Sequence, residues 1–199
     1  VFVAVGLGQV DIAFLLLFTH AIAKALLFMS IGSIILTTSG QNITEMGGLW
    51  SRMPVTTSAF FVGSAGLIAA FPLGMFWTWQ KWFSGAWQIS WPLLALLAYV
   101  NLFSALNLTR VFRLVFLGTP QPKTRRAPEV PWPMAVPMVS LIIVTLIIPI
   151  APLRWSLWLS PESPLNQVSF LTQWALLLLM IAGIIGGLLG SLWSLKRDW

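Results

Sequence analysis

The sequence predicts an all-α integral membrane protein with about five transmembrane helices, one of which is broken. Hydrophobic residues make up 58% of the 199 positions and charged residues only 8%, whereas soluble domains carry about 25% charged residues. Five apolar stretches reach the roughly 20 residues that a membrane-spanning helix needs. They cover residues 12–38, 55–76, 91–117, 133–153 and 168–194. Residues 1–199 are therefore interpreted as one membrane domain fragment.

The first stretch, "FTHAIAKALLFMSIGSII" from Phe18 to Ile35, carries two ionisable residues in an apolar helix. Lys24 lies near its midpoint, where a charged side chain costs roughly 3 kcal/mol on insertion scales. His20 is four positions earlier, so both side chains project from one face, about one turn apart. Because both residue types change protonation state readily in such surroundings, the pair can relay a proton. Alternatively, Lys24 snorkels or pairs with a carboxylate elsewhere, while His20 hydrogen-bonds a neighbouring helix.

The second stretch contains Pro72 and Gly74 deep in an apolar helix. Proline removes a backbone hydrogen bond and clashes with the preceding turn, so a broken helix is predicted here. Carbonyl groups freed at membrane depth must be satisfied by protein or by water in a cavity. We therefore expect the break to line a hydrated path, with an ordinary proline kink as the alternative.

Three other polar residues are candidates for lining such a path. They are Thr19, Asn101 and Asn107. For Asn101, a hydrogen bond between helices is the alternative. In the fifth stretch, "GIIGGLLG" places small residues four positions apart in two overlapping patterns, Gly183 to Gly187 and Gly186 to Gly190. These patterns predict close contact with another helix but do not identify it.

The distribution of basic residues predicts the orientation in the membrane. One side carries Arg52, Lys123, Arg125, Arg126, Lys196 and Arg197, with Arg110 and Arg113 at the adjoining helix end. The other side carries only Lys81 and Arg154. By the positive-inside rule the first side is cytoplasmic. Tryptophans near the other boundary, among them Trp79 and Trp82, are interpreted as an aromatic belt at the lipid–water interface, with a tryptophan ligand site as the alternative.

Composition excludes several classes of site. The chain has no cysteine, which excludes disulfides, thiolate-bound iron–sulfur clusters and cysteine zinc sites. No glycine-rich phosphate loop follows a strand, so no flavin or nicotinamide nucleotide site is predicted. The net charge of +6 is explained by basic loops beside membrane spans and does not predict a nucleic-acid partner. We predict no catalytic, cofactor-binding or metal-binding residue in this chain.

Three segments together resemble a known family. They are "THAIAKALLFMSIGSII" (19–35), "EMGGLWSRMP" (45–54) and "LTRVFRLVFLG" (108–118). They are similar to the second half of the antiporter-like membrane subunit 5 of complex I and of the related cyanobacterial and plastid NAD(P)H dehydrogenase complexes. The resemblance implies a place within an antiporter-like fold of 14–16 helices, whose first half and lateral helix are expected to lie outside this sequence. It also implies that His20 and Lys24 belong to a proton pathway.

The resemblance implies partners and cofactors as well. The chain would contact other membrane subunits, including a neighbouring antiporter-like subunit, in a thylakoid or bacterial inner membrane. Quinone and iron–sulfur clusters would be bound by those partner subunits. The enzyme would be an NAD(P)H or ferredoxin–plastoquinone oxidoreductase, of which this chain is a translocase subunit without a redox centre.

The broken helix departs from the family pattern. Family members usually carry "GFFSKDEI" or "CFWSKDEI" there, whereas this chain has "MFWTWQKW", with Trp79, Gln80 and Lys81 in place of Lys, Asp and Glu. That loss resembles the cyanobacterial variants that couple to carbon dioxide uptake, which implies a peripheral carbon-dioxide-hydrating partner. Lys81 either takes an exit role for protons or snorkels to the interface. Two other functions stay open, a multi-subunit cation/proton antiporter and a structural membrane subunit that does not pump.

Overall fold

The computed structural model describes residues 1–85, 91–122, 124–147 and 170–195. The α-helices in this part are α1 (Phe2–Gly6), α2 (Val10–Thr38), α3 (Pro54–Leu67), α4 (Gly74–Gly85), α5 (Trp91–Phe112), α6 (Trp132–Ile147) and α7 (Phe170–Leu195). A short 3₁₀-helix spans Ile43–Glu45, and α5 continues as a π-helical turn, Arg113–Leu117. No β-strand occurs in these residues, which confirms the predicted all-α class.

Three of the described segments are long and apolar enough to cross a membrane. They are Val10–Thr38, Trp91–Leu117 and Trp174–Trp193. Helix α6 is apolar but shorter, with 16 residues, and the end of the predicted span 133–153 lies outside the described residues. Helix α2 ends where Ser39 adopts a left-handed conformation and its N–H still reaches the carbonyl of Ile35, a common helix stop. These apolar helices support an integral membrane protein.

The predicted break in the second stretch is confirmed. Helix α3 ends at Leu67 and α4 begins at Gly74, with six residues between them that are not helical. Ala69 has a positive φ of 55°, and the Phe71–Pro72 peptide bond is cis. Helix α4 continues beyond the predicted apolar span to Gly85. Two short helices thus meet at a bend beside the middle of α2.

The glycines of α7 pack against α5. A Cβ atom at Gly186 would overlap the carbonyl oxygen of Leu102, and one at Gly190 would overlap that of Leu106. Backbones approach this closely only where small residues occupy the interface. The predicted close contact of these glycines with another helix is confirmed, and that helix is α5.

The loop that follows α2 is bonded to the end of α5. The N–H groups of Leu49 and Trp50 donate to the carbonyls of Val115 and Phe116, at 3.4 and 3.0 Å. These carbonyls lie in the last turn of the helix, where intrahelical partners are lacking. The hydroxyl of Thr124 adds a hydrogen bond of 2.7 Å to the carbonyl of Gly47. Two of the motifs that suggested the family are therefore neighbours in space.

Glu129 connects the loop before α6 to the start of α3. Its carboxylate accepts hydrogen bonds from the N–H of Val55 and the hydroxyl of Thr56, both at 2.8 Å. The first N–H groups of a helix have no intrahelical partner, and a negative charge there also interacts favourably with the helix dipole. Glu129 thus caps the start of α3, although it lies 74 positions after Val55 in the sequence.

Replacing Glu129 should destabilise this end of the molecule. Glu129→Ala leaves the Val55 N–H and the buried Thr56 hydroxyl without their acceptor, which we expect to cost about 1–3 kcal/mol of unfolding free energy. Thermal unfolding in detergent, followed by circular dichroism, measures the change. Glu45→Ala is the control, because that carboxylate is exposed and surface changes usually stay within about 0.5 kcal/mol. Equal melting temperatures for both variants would contradict the assigned role.

Candidate functional site

His20 and Lys24 lie at the centre of α2. Lys24 is the middle residue of this 29-residue helix, 14 positions from Val10 and 14 from Thr38. The helix is about 43 Å long at 1.5 Å per residue, so Lys24 is roughly 20 Å from either end. That distance exceeds the reach of a lysine side chain to a helix end. The structure therefore places Lys24 at the middle of the helix, as the sequence predicts.

The two residues differ in exposure. Thr19 and Ala23 are buried against neighbouring helices, His20 is half-buried, and Lys24 is exposed. Phe28, one turn after Lys24, is also exposed, with 69% of its surface accessible. Lys24 therefore projects from the face of α2 that the described helices leave uncovered, and His20 lies at the edge of that face.

The carboxylates of the described residues lie far from Lys24. Asp11 is in the first turn of α2, 13 positions away, which is about 20 Å along the helix. Glu129 is bonded to the start of α3, and Glu45 accepts a 3.5 Å hydrogen bond from Asn42 in the loop after α2. No group of three or more metal-ligating side chains occurs in the described part of the chain.

Thr19 links the central turn of α2 to the helix break. Its hydroxyl donates to the carbonyl of Leu15 at 2.8 Å and lies 3.7 Å from the sulfur of Met75, in the first turn of α4. A cavity of about 10 Å³ adjoins this contact, which is room for about one water molecule. Its lining residues are Thr19, Ile22, Ala23, Gly66, Gly74, Met75 and Thr145. The structure thus brings Gly74 close to Thr19, the residue directly before His20 in α2.

Comparison with known proteins shows the family to which this chain belongs. Residues 1–106 match the family model described as NADH:quinone oxidoreductase/Mrp antiporter, transmembrane. That range is more than half of the chain and contains α2, the helix break and α4. The chain belongs to the NADH:quinone oxidoreductase/Mrp antiporter family. The matched range is the apolar helical region that contains His20, Lys24 and the break.

Individual members of the family extend the similarity to the whole chain. NAD(P)H-quinone oxidoreductase subunit 5, organellar chromatophore 2, of Paulinella chromatophora is 42% identical over 210 residues, covering 100% of this chain. The chloroplastic subunits 5 of Populus alba and Spinacia oleracea are 36% and 34% identical over 125 residues, or 58% of this chain. The chain spans 31% of the Paulinella relative and 16–17% of the other two.

The structure does not place Asn101 or Asn107 among the residues that line this cavity. Asn101 is buried, and its side-chain N–H donates to the carbonyl of Leu179 on α7 at 3.0 Å. This contact is the interhelical alternative, so a channel role for Asn101 stays a prediction without a supporting contact. Asn107 is exposed on α5. The backbone of Lys81 lies in α4, but its side chain is outside the described residues, so its exit role also stays a prediction.

Sequence reasoning missed two groups of residues near the break. Thr145 of α6 joins the cavity, which local sequence could not reveal because α6 is distant in the chain. Trp79 and Trp82 were interpreted as part of an aromatic belt, and the structure adds that Trp82 is buried, with only 2% of its surface exposed. The spacing of Met75, Trp79 and Trp82 at i, i+4 and i+7 was the available signal, since it places all three on one helix face.

Proposed function

We propose that this chain is a proton-translocating part of a subunit 5 in an NAD(P)H or ferredoxin–plastoquinone oxidoreductase. The observation that carries the proposal is the titratable pair at the centre of α2. Lys24 is the middle residue of an apolar span, and His20 precedes it by one turn. A charge at that depth is costly and is retained mainly in ion and proton pathways.

The proposed proton route starts at Lys24 and passes His20 toward the break. Lys24 faces the uncovered side of α2, so its counterion comes from elsewhere in the subunit or complex. His20 adjoins Thr19, which lines the cavity beside Gly74. The route therefore runs from the outer face of α2 to the broken helix, where one water molecule fits.

The electron-transfer chemistry belongs to partner subunits in this proposal. Neighbouring membrane subunits and peripheral subunits would bind quinone and the iron–sulfur clusters, and this chain supplies only the path for protons. The chromatophore and chloroplast origin of the relatives supports a thylakoid-type membrane. The carbon-dioxide-uptake variant is proposed from "MFWTWQKW", in which both acids of the family motif are absent. A peripheral subunit that hydrates carbon dioxide would then be a partner.

A second candidate function is cation/proton antiport, because the matched family is described by Mrp antiporters as well as by NADH:quinone oxidoreductases. The two functions are separated by donor-driven proton uptake in membrane vesicles with and without sodium. The oxidoreductase function predicts proton uptake that requires a quinone and an electron donor and does not depend on sodium. Uptake that needs a sodium gradient and no quinone would favour the antiporter.

His20→Gln tests the relay directly. Glutamine can still hydrogen-bond a neighbouring helix but cannot titrate, so we expect proton uptake by the assembled complex to fall several-fold. The loss of a positioned acid–base group typically costs far more than the loss of one neutral hydrogen bond. A native gel run in parallel verifies assembly. Unchanged uptake in an assembled complex would mean that His20 is only an interhelical hydrogen-bonding residue.

A further inference from the structure

Two arginines at the end of α5 contact the last turns of α7. Nη1 of Arg113 donates to the carbonyl of Ser191 at 2.9 Å. The guanidinium of Arg110 lies over the ring of Trp193, 5.9 Å from its centroid. Arg110 and Arg113 are three positions apart, so they project from neighbouring positions on one side of α5. Two positive charges therefore converge where α5 and α7 end.

Both guanidinium groups keep hydrogen-bond donors for a further ligand. A guanidinium has five N–H donors and no acceptor. The bond to Ser191 uses one donor of Arg113, and the contact of Arg110 with Trp193 engages the face of the ring. Arg110 is exposed, and 60% of the surface of Trp193 is accessible. The arginine pair is therefore open to an acceptor from outside.

The carboxylates that the structure describes are placed elsewhere. Glu129 caps the start of α3, and Glu45 accepts a hydrogen bond from Asn42 in the loop after α2. Asp11 lies in the first turn of α2, the end remote from that loop. The counter-anion of the two arginines therefore comes from outside the described residues.

Helices α5 and α7 run in the same direction through the membrane. Leu102 lies against Gly186, and Leu106, one turn later, lies against Gly190. Both helices therefore end on the same side of the membrane, which the basic residues predict to be cytoplasmic. The arginines lie near that end of α5, from which a long basic side chain reaches the lipid headgroups while its stem stays in apolar surroundings.

The surface on the membrane side of the arginines matches the rest of a lipid. Phe103, Asn107 and Arg110 occupy positions i, i+4 and i+7 on one face of α5, and all three are exposed. On α7, Leu189 is exposed one turn before Trp193. Asn107 lies about 5 Å deeper than Arg110 along the helix, a depth suited to ester oxygens when the phosphate is at the guanidinium groups. Cation, amide and apolar surface thus follow in the order of phosphate, ester and acyl chain.

We propose that an anionic phospholipid binds at the shared end of α5 and α7. Arg110 and Arg113 bind its phosphate, Asn107 lies beside its ester oxygens, and one acyl chain lies along Phe103 and Leu189. Basic pockets between transmembrane helices on the cytoplasmic side are suited to such headgroups. A free phosphate ion would leave the apolar surface uncovered, and a zwitterionic lipid would bring a second cation beside two arginines. The site lies outside the proposed proton route and does not rest on it.

Photoaffinity labelling of the purified complex tests the site. The probes are phosphatidylglycerol and phosphatidylcholine, each with a diazirine on one acyl chain, and mass spectrometry of peptides locates the labelled residues. We expect phosphatidylglycerol to label α5 and α7 near Phe103 and Leu189. Arg110→Gln should reduce this labelling about fivefold, because one basic residue contributes about 1 kcal/mol to the binding of anionic lipid.

Arg126→Gln is the matched control. It removes the same charge from the same side of the membrane, and Arg126 is exposed in the loop before α6, so its labelling should equal that of the wild type. Equal labelling of wild type and Arg110→Gln would overturn the proposal. Equal labelling by the two lipids would overturn it as well, because the site would then not distinguish an anionic headgroup.

An electron cryomicroscopy map of the wild-type complex in phosphatidylglycerol nanodiscs provides the second test and needs no variant to fold. We expect headgroup density at Arg110 that continues as acyl chains along α5 and α7. A polypeptide segment at that position, or an isolated anion without chains, would overturn the lipid site. Neither measurement depends on pumping, so the lipid site can fail while the proton relay stands, and the reverse.

Discussion

Lys24→Ala is expected to abolish proton translocation while the complex still assembles. The lysine is the central residue of α2 and projects from an exposed face, so its removal leaves no cavity in the packed part of the chain. Removing a positioned proton-transfer group typically costs a factor of 10²–10⁴, and we expect at least about a hundredfold loss of donor-driven uptake. The measurement is proton uptake by membranes that contain the complex, normalised to its amount on a native gel.

Lys24→Arg separates a relay from a structural charge. Arginine keeps the positive charge and similar length but does not release its proton in proteins. A relay therefore predicts that Lys24→Arg is nearly as impaired as Lys24→Ala. If Lys24 only balances a carboxylate in another segment, Lys24→Arg should pump at close to the wild-type rate. Wild-type uptake in Lys24→Ala would show that the proton path runs through another part of the complex.

Gly186→Ala should destabilise the packing of α7 against α5. Its Cβ would overlap the backbone carbonyl of Leu102, and a backbone group cannot move aside as a side chain can. Helices α5 and α7 must separate to accept it, which we expect to cost about 1–3 kcal/mol, the range for overpacked cores. Loss of the 3.0 Å hydrogen bond between Asn101 and Leu179 would accompany that separation. Thermal unfolding in detergent and the yield of assembled complex measure the effect.

Gly187→Ala is the matched control for this substitution. The nearest atom to its added Cβ is the Thr109 hydroxyl oxygen at 3.5 Å, an ordinary contact distance. Because alanine also favours the helix by up to about 1 kcal/mol over glycine, we expect a neutral or slightly higher melting temperature. If both alanine variants were equally stable, the close approach of α5 and α7 at Gly186 would be contradicted.

The helix break and the placement of His20 and Lys24 on one helix were predictable because both depend on local chemistry. Pro72 lacks a backbone N–H wherever it lies, so an apolar helix around it must be interrupted. The spacing of His20 and Lys24 places them on one face of any α-helix. The similarity of "THAIAKALLF" and "EMGGLWSRMP" to a family was likewise visible without coordinates. The family model covers these segments.

The side of α2 that is buried could not be predicted from its sequence. Apolar side chains occur on every side of α2 itself, because lipid and a protein interior are equally apolar surroundings. The amphipathic pattern that reveals the buried face of a soluble helix is therefore missing. Only the packing of α3, α4 and α6 shows that Thr19 faces inward and Lys24 outward. For the same reason the sequence did not show that Trp82 is buried.

By itself, the sequence determined that this protein is a helical membrane protein, that its second span is broken and that a histidine and a lysine lie one turn apart at mid-membrane. The tertiary structure alone decided which elements meet. It paired the glycines of α7 with α5 and placed Glu129 at the start of α3. Such contacts depend on the complementary shapes of segments distant in the chain, whereas composition and periodicity describe each segment separately.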